Sequence, residues 1–166
     1  MITTRYSLLA GALVLSFSLL AAPLAKAQAP AWQTALAVAT TNGSQSYVQQ
    51  SAADASGNVY VAGIFTGTVT LGNTALVSLT NYHTFVAKWS SATNTFTWAQ
   101  ALNGTAEQRL DALAVSGSTL YLGGGFSGQL VVGGQTLTSQ GSGDMYVLKL
   151  TDTGTTATVA WAQRAG

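Results

Sequence analysis

The sequence contains no cysteine, and charged residues occupy only 7% of its 166 positions. Without cysteine no disulfide can form, so a folded domain has to be stabilised by packing and strand pairing alone. Because the acylated cysteine of a bacterial lipoprotein is also missing, we expect no anchoring of that kind. The few lysines and arginines form no cluster, which argues against nucleic acid or an anionic membrane surface as a partner.

Apolar residues are abundant in spite of the low charge. They make up 48% of the chain, and 18 glycines punctuate it. Disordered segments combine low hydrophobicity with high charge, so this composition predicts a folded protein. With so few charged side chains, the surface has to be covered largely by hydroxyl and amide groups.

The N-terminus has the pattern of a secretory signal peptide. Arg5 precedes an apolar run over residues 8–20, and the segment closes on Ala25-Lys26-Ala27. A basic start, a short apolar run and a small-x-small motif predict a signal peptide over residues 1–27, cleaved after Ala27. A retained membrane anchor is the alternative, but the run is short for a spanning helix of about 20 residues. No second long apolar run follows, so we expect no membrane span after cleavage.

The remainder of the chain repeats. Residues 59–78 align without a gap on residues 120–139, at a constant offset of 61. Taking Trp32, Trp98 and Trp161 as phase markers divides the chain into the signal peptide 1–27, a first repeat 28–97, a second repeat 98–160 and the start of a third repeat 161–166. Such self-similarity indicates one supersecondary unit that needs a neighbour to bury its apolar surface.

Each repeat contains four candidate strands bounded by turn residues. A glycine-punctuated excursion, residues 66–78 in the first repeat, separates the second strand from the third and predicts an added hairpin. The predicted strands are Tyr47–Ala53, Val59–Phe65, Asn81–Trp89 and Thr95–Leu102 in the first set, and Arg109–Val115, Thr119–Phe126, Gly143–Leu150 and Thr158–Gln163 in the second.

Several of these strands are apolar without alternation, which indicates that both of their faces are covered. No stretch after residue 27 has a convincing helical period, so sheets have to cover sheets. Four-stranded sheets of about 60 residues stacked face to face are typical of propeller blades. The predicted fold is therefore all-β, with two four-stranded β-propeller-type blades plus a partial third, preceded by a signal peptide.

The matching residues also carry a family resemblance. Asp54-x-Ser-Gly-Asn-Val-Tyr-Val-Ala-Gly-x-Phe65, followed by Phe85-Val-Ala-Lys88 and Trp98-Ala, resembles the bacterial β-propeller repeat called the SBBP repeat, over residues 32–166. The resemblance implies an exported, multi-bladed bacterial protein located in the periplasm, outside the cell or on its surface. Since a propeller needs about four blades to close, we expect further blades as partners, from a longer chain or from other copies in a homo-oligomer.

No residue cluster specifies a reaction, so we assign no catalytic, cofactor-binding or metal-binding residues. Asp54-Ala-Ser-Gly-Asn58 could suggest a calcium loop, but a tight turn explains it better because further acidic ligands are missing. Gly123-Gly-Gly125 lacks the sequence context of a phosphate loop and indicates a strand bend or a close sheet contact. Lys88 and Lys149 recur in equivalent places, which suggests edge charges that prevent unwanted pairing.

The recurring aromatic residues admit two interpretations. Trp98 and Trp161, with Tyr60 and Tyr121, either pack between sheets or form a platform for sugar rings, and their recurrence among apolar neighbours favours packing. Trp89 becomes a leucine in the next repeat, so this unrepeated aromatic and the single histidine, His83, are the candidate ligand contacts.

We therefore expect an exported, non-enzymatic repeat module that serves as a structural scaffold or protein-interaction surface. A carbohydrate-binding propeller, recognising a surface glycan, is one alternative. A fragment of a larger secreted hydrolase, with its active site in other blades, is the second.

Overall fold

The structure is a computed structural model that describes residues 38–41 and 43–166. The predicted signal peptide, residues 1–27, and Trp32 lie outside the described residues. All regular secondary structure in the described part is β, which confirms the all-β prediction. Among these residues there is no helix that could cross a lipid bilayer.

The described residues form twelve strands. The first five are β1 (Ala39–Thr40), β2 (Gln45–Ala53), β3 (Val59–Leu71), β4 (Thr74–Ser90) and β5 (Thr95–Ala101). The others are β6 (Asn103–Gly104), β7 (Gln108–Ser116), β8 (Thr119–Phe126), β9 (Gln129–Val132), β10 (Gln135–Thr138), β11 (Asp144–Asp152) and β12 (Ala157–Ala165). All eight strands predicted for the two repeats are confirmed, with ends that differ by a few residues in most of them.

Two antiparallel sheets, each with four long strands, dominate the architecture; the short β1 is a fifth strand of the first, and β6, β9 and β10 form a small third sheet. The first sheet has the order β2-β3-β4-β5 and the second the order β7-β8-β11-β12. Their registers coincide at the repeat offset, because Tyr60 lies opposite Lys88 and Tyr121 lies opposite Lys149. The two sheets are therefore the same structural unit used twice.

The two sheets also share a β-bulge at equivalent positions. The pairing of β2 with β3 skips a residue between Val48 and Gln50, and the pairing of β7 with β8 skips one between Leu110 and Ala112. Such bulges bend and twist a strand locally. Their repetition at equivalent positions means that both sheets share the same local bend.

The predicted hairpin between the second and third strands is also present. In the first sheet it continues β3 and β4 without a break, whereas in the second it is the separate pair β9 and β10. A two-residue strand joins each hairpin, with Thr40 opposite Val69 and Gly104 opposite Leu130. The hairpin tip packs on its own sheet, since Gly72 approaches Phe96 and Gly133 approaches Val159.

The main core lies between the two sheets, which confirms that sheets cover sheets. It joins buried residues of the first sheet, including Tyr60, Val86 and Trp98, to buried leucines of the second: Leu120, Leu122, Leu148 and Leu150. A smaller core lies under the first hairpin, around Phe65, Leu71 and Phe85. Because full burial of one such side chain contributes about 1.5–3 kcal/mol, the contact between sheets is a major source of stability.

The sequence repeat and the sheet begin at different places. Trp98 lies in β5, the last strand of the first sheet, and Trp161 lies in β12, the last strand of the second. Residues 161–165, which the tryptophan spacing assigns to a third repeat, pair with β11 and complete the second sheet.

The structure shows why a glycine recurs at the position of Gly63 and Gly124. A Cβ atom at Gly124 would lie 1.9 Å from the carbonyl oxygen of Arg109 at the bulge, and one at Gly63 would lie 1.9 Å from that of Tyr47. Only a residue without a side chain allows the two backbones to approach this closely. The close sheet contact predicted for Gly123-Gly-Gly125 is thus confirmed at its central glycine.

Gly124→Ala should destabilise the chain by roughly 2 kcal/mol or more, because the bulge backbone has to move to admit the methyl group. Gly123→Ala is the matched control, since its Cβ would lie 3.8 Å from the nearest atom. This control should stabilise the chain by about 0.5–1 kcal/mol, because alanine loses less conformational entropy than glycine. Urea unfolding of the full chain measures both changes, and equal effects would contradict the close approach.

Candidate functional site

Asp152 occupies a site built by three side chains of the other sheet. Lys88 Nζ donates to Asp152 Oδ2 at 2.5 Å, and the Tyr60 hydroxyl donates to the same oxygen at 2.8 Å. Trp98 Nε1 donates to Asp152 Oδ1 at 2.9 Å. We call Tyr60, Lys88 and Trp98 the first donor triad.

Strand register places the first donor triad on one face. Tyr60 of β3 lies opposite Lys88 of β4, which in turn lies opposite Trp98 of β5, so the three side chains form a row across the sheet. The Tyr60 and Trp98 rings are 6.2 Å apart at a tilt of 55°, and Lys88 Nζ lies 5.5 Å from the centre of the Tyr60 ring. Cation–π attraction adds to the hydrogen bonds in fixing this arrangement.

Asp152 reaches the triad from the end of β11. Its Oδ1 also accepts a hydrogen bond of 2.9 Å from the backbone N–H of Gly154 in the following turn. This bond, together with the three donors of the triad, satisfies the carboxylate on both oxygens. A buried carboxylate needs such compensation, because its desolvation otherwise exceeds the attraction to one cation.

The site keeps Asp152 ionised. Only 12% of the Lys88 side chain and 5% of the Asp152 side chain are exposed. Burial raises the pKa of Asp152, but hydrogen bonds from Lys88, Gly154, Tyr60 and Trp98 outweigh it, so the pKa lies below the ordinary 3.8. Burial and the neighbouring Asp152 carboxylate together raise the pKa of Tyr60, which stays protonated and acts as a donor.

The hypothesis that Lys88 and Lys149 are edge charges is wrong. Lys88 lies in β4, between β3 and β5, and Lys149 lies in β11, between β8 and β12. Neither strand is at an edge. Lys88 instead supplies a cation to the face on which the second sheet packs.

The second sheet carries the same three residues in the same arrangement. Tyr121, Lys149 and Trp161, which we call the second donor triad, have a ring separation of 6.3 Å at 53° and a lysine-to-ring distance of 5.9 Å. No carboxylate contacts this triad within the described residues. Tyr121 is 39% exposed, whereas Tyr60 is 1% exposed.

The Asp54–Asn58 segment forms the predicted turn. Asp54 Oδ1 accepts hydrogen bonds from the backbone N–H groups of Ser56 and Asn58 at 2.9 and 3.0 Å, and Gly57 has φ of +78°. The carboxylate is therefore used within the turn. Asp54 Oδ2 also lies 3.4 Å from the Tyr60 hydroxyl, which links the turn to the first donor triad.

The structure does not bring the two candidate ligand contacts together. His83 and Trp89 lie six residues apart on β4, so roughly 20 Å of strand separates them. His83 Nδ1 and Trp89 Nε1 are buried, and neither has a hydrogen-bond partner among the described residues. Burial lowers the pKa of His83, whose ring packs edge-on against Phe65. The assignment of both residues as ligand contacts stays a prediction.

An open cleft of about 770 Å³ lies at the opposite end of the sheets. It is lined by charged and polar residues, among them Glu107, Arg109 and Asp144. Asp144 is already engaged, because it accepts hydrogen bonds from the Gln140 N–H and from Arg164, which together lower its pKa. No group of three potential metal ligands occurs in the part of the chain that is described.

Sequence reasoning missed the role of Asp152. In the first repeat its position is taken by Ser91, two residues after Trp89, so no repeated acid marked the site. The recurrence of tyrosine, lysine and tryptophan at register positions of three neighbouring strands was the available signal. It indicated a shared face but not the carboxylate that it binds.

No protein-family model matches the chain, and no curated protein matches it either.

Asp152→Asn should destabilise the full chain by roughly 3 kcal/mol, because Lys88 would remain buried without a counter-charge. The control is Asp111→Asn, which breaks the well-exposed pair with Arg109 and should change stability little. Replacing both partners, as Lys88→Met with Asp152→Leu, should recover most of the loss. Chemical denaturation measures each variant, and equal losses for the two asparagine variants would refute the buried contact.

Acid should weaken the contact between the sheets. The pKa of Asp152 is lower in the folded chain than its ordinary 3.8, so its stabilisation is present above that value and is lost as the pH falls through the folded pKa. Asp152→Asn should therefore flatten the dependence of unfolding free energy on pH below about pH 4. Unfolding curves at several pH values measure this, and parallel profiles for the two chains would contradict it.

Proposed function

We propose that this chain is an exported repeat protein of the β-propeller type, whose stacked sheets act as a structural scaffold and protein-interaction surface without catalysis of their own. The observation that carries the proposal is the use of recurring residues at the contact between sheets. Tyr60, Lys88 and Trp98 recur in the second sheet, and in the first sheet they hold the neighbouring sheet in place.

The stacking mode supports a propeller-type array. The first sheet packs on the second through the face that bears the first donor triad. The second sheet contacts it through the face that does not bear the second donor triad, which carries Leu120, Leu122, Leu148 and Leu150. Different faces meet, so each sheet has one face for the preceding neighbour and one for the next. Such head-to-tail contacts extend into arrays or close into rings, unlike the self-complementary contact of a symmetric pair.

The sequence supports export and an SBBP-type repeat as parts of the proposal. The basic start, the apolar run and Ala25-Lys26-Ala27 support a cleaved leader, and the blocks around Asp54, Phe85 and Trp98 support an SBBP-type repeat. Together they favour a bacterial protein of the periplasm, the cell surface or the medium.

A carbohydrate-binding role has one observation in its favour, the exposed Tyr121 ring and the half-buried Trp161 ring of the second donor triad. In the first sheet the equivalent pair is covered by another sheet, which favours packing over sugar recognition. Isothermal titration of the full chain with bacterial surface polysaccharide separates the two roles. Only a lectin would release heat that Trp161→Ala abolishes.

A scaffold of mutually dependent sheets should unfold as one cooperative unit, because neither sheet buries its apolar face alone. Leu122→Ala, at a position 1% exposed between the sheets, should cost about 2–5 kcal/mol and lower the protection of both sheets together. Leu79→Ala is the matched control, since Leu79 is 87% exposed. Amide hydrogen exchange of the full chain measures both, and loss of protection confined to the second sheet would contradict the proposal.

A further inference from the structure

We propose that the second donor triad, Tyr121, Lys149 and Trp161, is a preformed receptor for a carboxylate on a neighbouring sheet of the same repeat type. The inference rests on the proposed function and adds the chemistry of the partner. The partner is a four-stranded sheet with aspartate or glutamate at the position that Asp152 holds in the second sheet.

Similarity of the two faces around the triads is the first support, although farther along the strands Ile64 and Thr84 correspond to Gly125 and Met145. At six register positions the triad-bearing face of the first sheet is reproduced on the second with one change, alanine to glycine. The pairs are Tyr60 and Tyr121, Ala62 and Gly123, Val86 and Val147, Lys88 and Lys149, Trp98 and Trp161, Gln100 and Gln163. On the opposite face Val59, Val61, Ala87 and Trp89 are replaced by leucine, whereas Gly63 and Phe65 recur as Gly124 and Phe126.

The second support is that the triad-bearing face is buried in the first sheet but exposed in the second. Val86 is 0% exposed beneath the second sheet, whereas its equivalent Val147 is 45% exposed. Met145 on the same face is also largely exposed. The second sheet thus presents to solvent the face that the first sheet buries.

Geometry and charge are the third support. Ring separations and lysine-to-ring distances of the two triads agree within a few tenths of an ångström, although only the first triad holds a carboxylate. The receptor therefore needs no rearrangement. Lys149 has no carboxylate partner among the described residues, and the second repeat replaces the Asp54 turn by Ser116-Gly-Ser118, so no local acid serves this triad.

A second copy of the chain offers no matching acid. Its first sheet would present Ser91 at the position of Asp152, and that hydroxyl already donates to the Ser56 carbonyl. Asp152 of a second copy is occupied by its own Lys88. The partner is therefore a further repeat sheet that carries its own acid.

A three-sheet chain tests the proposal. Residues 102–165 are appended directly after Arg164, which is equivalent to Ala101, so the natural junction between Ala101 and Leu102 is reproduced and a second copy of Asp152 is presented to the second donor triad. Exchange of the Trp161 indole N–H, followed by NMR, should become at least about tenfold slower than in the natural chain, as expected for a buried hydrogen bond to a charged acceptor. Asp152→Asn in the added segment alone, or Lys149→Met, should abolish most of this protection.

The natural two-sheet chain with Lys149→Met is the control and should unfold like the unmodified chain. If the added strands are protected but neither substitution affects Trp161 exchange, the carboxylate receptor is wrong and the stacked repeat stands. If the added strands stay unprotected, the proposed function fails as well. Trp161 protection that rises with concentration in the natural chain would identify a second copy as the occupant and overturn the acid-bearing partner.

Discussion

A buried carboxylate makes three of the hydrogen bonds that join the two sheets. Asp152 crosses from the second sheet to a lysine, a tyrosine and a tryptophan on three neighbouring strands of the first. Apolar burial between the sheets supplies more free energy, but it does not fix orientation, because leucine surfaces tolerate sliding and rotation. A carboxylate with several directed donors admits one geometry, and leaving it unpaired in the core would be costly.

The repeat keeps the donor triad and varies much of the leucine surface that packs on it. Tyrosine, lysine and tryptophan recur at the same register positions, whereas the covering face changes from Val59 and Val61 to Leu120 and Leu122. Directed hydrogen bonds require particular groups at particular places, while apolar packing accepts different shapes as long as volume is filled. The recurring donor triad therefore carries the directional specificity of stacking.

Much of the fold was predictable from sequence. Turn residues bounded every long strand, and the glycine-rich excursion marked the hairpins. The offset of 61 anticipated a common register, which the pairs Tyr60–Lys88 and Tyr121–Lys149 confirm. The role of Lys88 was not predictable, because a lone lysine in an apolar run has the same pattern whether it lies at an edge or opposite a buried acid.

The sequence by itself determined that the part of the chain described by the structure is all-β, where its strands lie and that one unit occurs twice, because alternation, turn chemistry and internal similarity are local properties. Only the tertiary structure decided which face each sheet buries and which acid it binds. Asp152 is separated by 92 residues from Tyr60, 64 from Lys88 and 54 from Trp98. A period of two residues defines two faces of a strand, but the partner of each face depends on how distant segments stack.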